Sequence, residues 1–278
     1  HESLEITSYD FIGPPWAYPP DIEFEALKKT PNNLGEFIWT GFDYLGEPTP
    51  FGGKDNSTNG YWNGDWPARS SYFGAVDLCG LKKDRFYLYQ SQWTTAPMVH
   101  VLPHWNWEGR EGKTTPVFVY TNYDSAELFL NGKSLGIQRK NNSSPQNRYR
   151  LMWMDVKYEP GTIKVVAFDN DGNAVTEKEV HTAGNPHHLE LSADRTEIAA
   201  DGKELSYVTV TVVDKDGNVC PNADNQLNFK VSGAGSFKAV CNGDATSLEM
   251  FHIPTMKSFS GKLVVLVQAS ENAGDINL

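Results

Sequence analysis

From about Pro97 onward the chain is written in short runs of alternating apolar and polar residues, each closed by a turn pair; before that point it is not. The runs "PVFVYTN", "SAELFLNGKSLG", "YRLMWMDV" and "GTIKVVAFDNDGNAV" predict strands, because successive side chains of a strand point to opposite faces. Asn131-Gly132 between two apolar runs predicts a tight hairpin. Together they predict a small antiparallel β-sandwich over residues 97–184. A second series begins at Pro186, where "YVTVTVV" alternates, Asp216-Gly217 turns, and "LNFKVSG" and "GKLVVLVQAS" come after it. It predicts a second, immunoglobulin-like β-sandwich over residues 185–278. The two share turn chemistry but no repeat period, so they are not an array.

Residues 1–96 have another pattern, dense in aromatic residues, Pro and Gly. "KKDRFYLYQSQW" predicts a helix, with Phe86, Tyr89, Gln90 and Trp93 at helical spacing. "DIEFEALKKT" predicts another, opening after Pro19-Pro20 and closing before Pro31. Between them "GEFIWTGFDYLGEPTPF" reads from Gly35 to Phe42 as a buried aromatic strand that stops at two carboxylates, Asp43 and Glu47, on a segment broken by Gly46, Pro48 and Pro50. One strand and two helices cannot close a core, since parallel strands need the rest of their sheet. This part is expected to be completed by chain outside the sequence, or to pack on the sandwiches.

The formal net charge of -11 argues against a nucleic-acid or anionic-membrane partner, which would need clustered Lys and Arg. No apolar run approaches the roughly twenty residues of a membrane span. The N-terminus carries neither Met nor a signal-like segment, so His1 is expected to be a cut within a longer gene product. Cys79, Cys220 and Cys241 are too scattered for a disulfide framework and show no metal spacing; Cys220 and Cys241 pair only if their strands meet.

Several candidates for chemistry have a plainer reading. "DNDGNA" at Asp169 and "DKDGNV" at Asp214 look like calcium-loop starts, yet they sit between strands and are read as hairpin turns. Asn242-Gly243 is read as a tight turn. Trp105 and Trp107, at period two, either form an exposed sugar-stacking platform or pack into a core. His104, His187 and His188 lack metal partners and are read as surface residues. No cofactor is called for.

The motif "GEFIWTGFDYLGEPTPF", together with the downstream "WPARSSYFGAVDLCGLKKDRFYLYQSQW", resembles the last βα unit of the catalytic barrel in family 2 glycoside hydrolases of the bacterial β-galactosidase type. The likeness spans Tyr9 to Trp93, and the two sandwiches match the domains that come after the barrel in that family. The resemblance implies a mainly β chain: the end of an incomplete (β/α)8 barrel over residues 1–96, then the two sandwiches. It implies a retaining hydrolase of terminal β-galactosides, periplasmic or secreted, with Trp39 as a wall of the sugar subsite and Asp43 and Glu47 on the substrate side. Barrel residues that work on substrate lie at the C-terminal ends of the strands, where Trp39 to Glu47 would fall.

In that family both catalytic carboxylates come from earlier strands. Nothing in residues 1–96 matches the acid/base Asn-Glu pair, and "HESLEITSYD" resembles the stretch after the nucleophile, so Glu2 is not read as that group. The chain is therefore expected to hold no catalytic residue and to be inactive alone. Its expected partners are a β-galactoside through the parent enzyme, the upstream barrel and N-terminal domains of the same protein, and, through exposed barrel surface, another copy in a homo-oligomer. The alternative is a stand-alone carbohydrate-binding or interaction protein built of two sandwiches, which requires exposed Trp105 and Trp107.

Overall fold

The computed structural model describes residues 7–11, 13, 17–47 and 70–278. Glu2 and the Pro-rich continuation of the loop after Glu47 lie outside the described residues. The chain divides into two compact units, one gathering residues 1–41, 73–76 and 82–182, the other residues 42–72, 77–81 and 183–278.

The first unit is built on a sandwich. Strands β1 (Val99–Leu102), β2 (Val117–Thr121) and β5 (Leu151–Trp153) form one antiparallel sheet in the order β1-β2-β5. Strands β3 (Ser125–Leu130), β4 (Lys133–Arg139), β6 (Thr162–Phe168) and β7 (Ala174–His181) form the other, in the order β4-β3-β6-β7. Between the sheets Val117, Val119, Leu151 and Trp153 pack with Leu128 and Val165. Asn131 and Gly132 both take positive φ, 52° and 79°, and close the β3–β4 hairpin.

Strand β2 is buried at every position. Its outer face, with Phe118 and Tyr120, is covered by Phe24 of helix α1 (Pro20–Lys29), Leu88 of helix α2 (Asp84–Trp93) and Tyr149 of the short helix α3 (Pro145–Tyr149). That is why "PVFVYTN" is nearly continuous in apolar residues: a strand covered on both faces loses the polar half of its alternation. The edge strands β4 and β7 are mostly exposed and charged, and Lys164 on β6 bridges Glu177 (2.9 Å) and Glu179 (3.3 Å) on β7. Charge on an exposed edge discourages pairing with a second chain.

Helix α1 begins as expected, with a Pro in its first turn, acidic Asp21 and Glu23 there, and Lys28 and Lys29 at its end. Helix α2 also forms where expected. The buried positions are Leu88 and Ser91, flanked by Tyr87, whereas Trp93 is 60% exposed. The aromatic spacing of Phe86, Tyr89 and Trp93 marks a real helix, and Tyr89 and Trp93 meet the Phe24 ring (5.8 and 6.4 Å), while Leu88, outside that spacing, is the residue most deeply buried against the sandwich.

Charged side chains join these helices to the sandwich. Asp21 of α1 and Arg150, each fully buried, form an ion pair, and Arg150 Nη1 also donates to the Tyr9 carbonyl at 2.8 Å. Glu25 pairs with Arg148 and accepts from the Tyr149 hydroxyl at 2.7 Å. Arg85 Nε donates to Asp10 at 2.9 Å. Charges this deep persist only when paired.

The second unit carries the sheet β12-β14-β9-β8, formed by β8 (His188–Ala193), β9 (Leu205–Val213), β12 (Gly235–Cys241) and β14 (Lys262–Ala269). Two short pairs complete it: β10 (Gln226–Asn228) with β13 (Thr255–Lys257), and β11 (Ser232–Gly233) with β15 (Ile276–Asn277). Its core gathers Val208, Val210, Val240, Met256, Leu263 and Val265.

Candidate functional site

The stretch 35–42 is not the buried strand that its composition predicts. Phe37 is fully exposed, Trp39 is 76% exposed and Phe42 61%. Phe42 alone carries an isolated bridge, and Ala75 N donates to the Thr40 carbonyl (3.1 Å) and Val76 N to that of Gly41 (2.9 Å). Aromatic, β-prone residues favour a pleated surface, but a parallel strand exists only between neighbours that pair with it. The Trp39–Thr40 peptide is cis.

Trp39 belongs to the first unit, Asp43 and Glu47 to the second. Asp43 is buried, 5% exposed, and receives a hydrogen bond from Ser71 Oγ at 3.3 Å. Ser71 is itself fully buried and fixed to the loop twice more: its amide donates to the Tyr44 carbonyl (2.8 Å) and its Oγ accepts from Tyr44 N (3.1 Å). An isolated bridge between Leu45 and Ser70 closes the same contact. Glu47 is half-buried and accepts from the Tyr44 hydroxyl. Asp43 is thus an oriented acceptor held by a buried serine, and Glu47 braces an aromatic ring. The two carboxylates have different partners and different tasks.

Ser70 and Ser71 were not singled out from sequence. Their signal is a pair of small polar residues inside the aromatic run "WPARSSYFGAV", where burial is expected and a buried hydroxyl must find a partner.

The remaining candidates resolve as packing. Trp105 is 1% exposed, stacks edge-on with Tyr158, and donates its indole N–H to the Glu159 carbonyl at 2.9 Å. Trp107 lies over the His104 ring at 4.4 Å and donates to the His104 carbonyl at 2.7 Å. The period-two tryptophans therefore form no sugar platform, and His104 is not a surface residue: burial pushes its imidazole below the ordinary range. The two Asp-x-Asp-Gly-Asn stretches are hairpin turns. Asp169 accepts from Asp171 N and Asn173 N, and Asp214 from Asp216 N, Asn218 N and Gly184 N. Among the described residues no group of three or more His, Cys, Asp or Glu side chains is placed to hold a metal ion. The three cysteines are free, so Cys220 and Cys241 do not pair. Outside these groups, Glu36 is held above the usual carboxylate range by desolvation and by a hydrogen bond with Glu23.

Comparison with known proteins agrees with this architecture. Residues 189–278 match the glycoside hydrolase family 2 C-terminal domain 5, and residues 112–176 match a domain of unknown function. A β-galactosidase of Bacteroides ovatus is 43% identical over 277 residues, 99% of this chain and 30% of the relative. A putative β-glucuronidase of Formosa agariphila is 36% identical over 211 residues, covering 76% of this chain and 19% of its own. Among solved structures, a β-glycosidase from Bacteroides vulgatus superposes with a TM-score of 0.84 at 35% identity, covering 98% of this chain and 32% of that one. A family 2 glycosyl hydrolase from Bacteroides cellulosilyticus gives 0.80 at 30% identity, over 91% of this chain and 35% of that one. The chain therefore spans about a third of the length of these last two structures and of the Bacteroides ovatus enzyme. Matched along nearly its whole length by such proteins, and carrying one of their C-terminal domains in residues 189–278, the chain belongs to glycoside hydrolase family 2.

Proposed function

We propose that this chain is part of a retaining glycoside hydrolase acting on terminal β-galactosides. In this reading residues 1–96 supply the end of the catalytic barrel, and the two sandwiches are accessory domains. The observation that carries it is the 43% identity to a β-galactosidase along 99% of the chain. The local geometry is in keeping. Trp39 offers an indole face to solvent, and such a face suits the C–H face of a galactose ring. Asp43, oriented by Ser71, is an acceptor for a sugar hydroxyl, and Glu47 stiffens the loop through Tyr44.

Retention needs two carboxyl groups about 5 Å apart. One attacks the anomeric carbon while the other protonates the departing oxygen; the covalent glycosyl-enzyme is then hydrolysed by water that the second group deprotonates. The roles of Trp39, Asp43 and Glu47 are to bind and orient. Both catalytic groups belong to upstream chain, and alone the 278 residues turn over no substrate.

The test is hydrolysis of an aryl β-galactoside and an aryl β-glucuronide, by this chain and by the protein extended upstream through the barrel. Galactoside turnover by the extended protein alone supports the reading. Preference for the glucuronide would reassign the sugar, as the Formosa agariphila relative suggests, and turnover by the 278 residues alone would overturn the division of labour. In the extended protein Trp39→Ala should raise KM by about five-fold or more, since a lost aromatic contact costs on the order of 1–3 kcal/mol. A stand-alone sugar-binding sandwich is disfavoured by the burial of Trp105.

A further inference from the structure

Far apart in sequence, Cys79 and Cys241 meet in the second unit. Cys79 lies in the turn 77–81, which is held rigid by one side chain: Asp77 Oδ1 accepts from Cys79 N (3.0 Å) and Leu81 N (2.8 Å), while Asp77 N donates to the Leu81 carbonyl (2.9 Å). The turn rests on the segment that leaves β12, Cys241 to Gly243. Gly243 has φ +75°, and a Cβ there would stand 2.2 Å from Asp77 Oδ2 and 3.1 Å from Cys79 Sγ. Only glycine lets the turn come this close, so Asn242-Gly243 is more than a local turn signal. The thiols of Cys79 and Cys241 are in hydrogen-bond contact, both half-buried and both unoxidised.

We propose that Cys79 and Cys241 are a redox-active pair, closing to a disulfide under oxidising conditions and fastening the turn 77–81 to the end of β12. Cys220 is the internal contrast. It is buried at 4% exposure with its sulfur turned to the carbonyls of Gly184 (3.6 Å) and Asn218 (3.9 Å), and it takes no part.

The step is thiol–disulfide exchange with a small-molecule disulfide. One cysteine thiolate attacks a sulfur of the oxidant, releasing one thiolate and leaving a mixed disulfide. The other cysteine's thiolate then displaces the second half. Two protein S–H bonds are replaced by one S–S bond, and the two electrons and two protons leave with the oxidant as two thiols. Contact with Cys241, burial and the Asp77 carboxylate all hold the Cys79 thiol above its ordinary pKa, which slows its own attack on an oxidant near neutral pH. Bridging a loop this long restricts the unfolded chain strongly, which is where a disulfide gains most of its stabilising effect in the chain-entropy account.

The experiment needs only the 278-residue chain and is independent of the glycosidase reading. The folded chain is equilibrated with oxidised glutathione, quenched with acid, unfolded and alkylated. The expected result is alkylation of Cys220 alone, a peptide map joining the Cys79 and Cys241 peptides, and an unfolding midpoint raised in urea relative to the reduced chain. Cys220→Ser should form the same link, and Cys79→Ser, checked for native circular dichroism, should not. Alkylation at all three cysteines, a link through Cys220, or glutathione left on Cys79 or Cys241 without a cross-link would each overturn the proposal.

Discussion

Arg150 and Asp21 are the residues on which most rests. Both are fully buried, and even in their ion pair Arg150 Nε and Asp21 Oδ1 have no hydrogen-bond partner among the described residues. Removing one member leaves an uncompensated buried charge, which typically costs about 3–5 kcal/mol. Arg150→Ala and Asp21→Ala should each lower stability by that amount in urea unfolding, and the double change Asp21→Leu with Arg150→Met should recover most of it. A double variant no better than the singles would show that the pair contributes more than charge cancellation. Neither residue was legible beforehand, since an isolated Asp in a first turn and an Arg before an apolar run look like ordinary surface groups. Trp39, Asp43 and Glu47 were legible as candidates through the resemblance of their motif and its expected place at the end of a barrel strand, since carboxylates in a Gly/Pro loop are otherwise mostly solvated or cap a turn. That Ser71 would orient Asp43 was not, because the contact joins residues 28 apart.

At the scale of elements, the Asp-Gly turns illustrate what a short motif can specify. Each aspartate folds its side chain back onto amides of its own turn, and Asp214 also receives the amide of Gly184 from outside it. The Gly184 amide, then Asn218 and the Asp216 amide, hold the Asp214 carboxyl well below the usual carboxylate range. A group with a depressed folded pKa stabilises the fold above its unfolded pKa, near 4, and loses that contribution as pH falls toward the folded value. Asp214→Asn should therefore reduce stability most above about pH 5, with the difference from the parent chain shrinking as pH falls through 4. A constant difference in urea midpoints from pH 7 to 2 would remove the electrostatic explanation. Helix α2 carries the complementary lesson. Its period was plain in the sequence, yet its buried face was set by β2, whose Phe118 and Tyr120 meet Leu88. The exposed edge strand β7 was likewise obscured by its charges, since "TEKEV" has no apolar alternation to read.

For the whole molecule, each sandwich fills its inner core with its own residues, Val117, Leu128 and Val165 in one and Val210, Met256 and Leu263 in the other, while only the outer face of β2 leans on Phe24 and Leu88. Residues 185–278 expressed alone should thus fold cooperatively, with a β-type circular dichroism spectrum and a single urea transition; a featureless chain would mean that the second core depends on residues outside it. The sequence by itself determined the strand runs and turns, because alternation, Asn-Gly and Asp-Gly are local signals with local physics, and its aromatic motif was enough to point to the family. Tertiary structure decided what depends on partners distant along the chain. It kept residues 35–42 from forming an extended strand and left Trp39 exposed, because a strand is defined by its neighbours; it buried Trp105, set Leu88 of α2 against β2, neutralised Arg150 with Asp21, and brought Cys79 against Cys241 instead of Cys220. Periodicity states which side of an element is apolar, whereas only the packed chain fixes what that side meets.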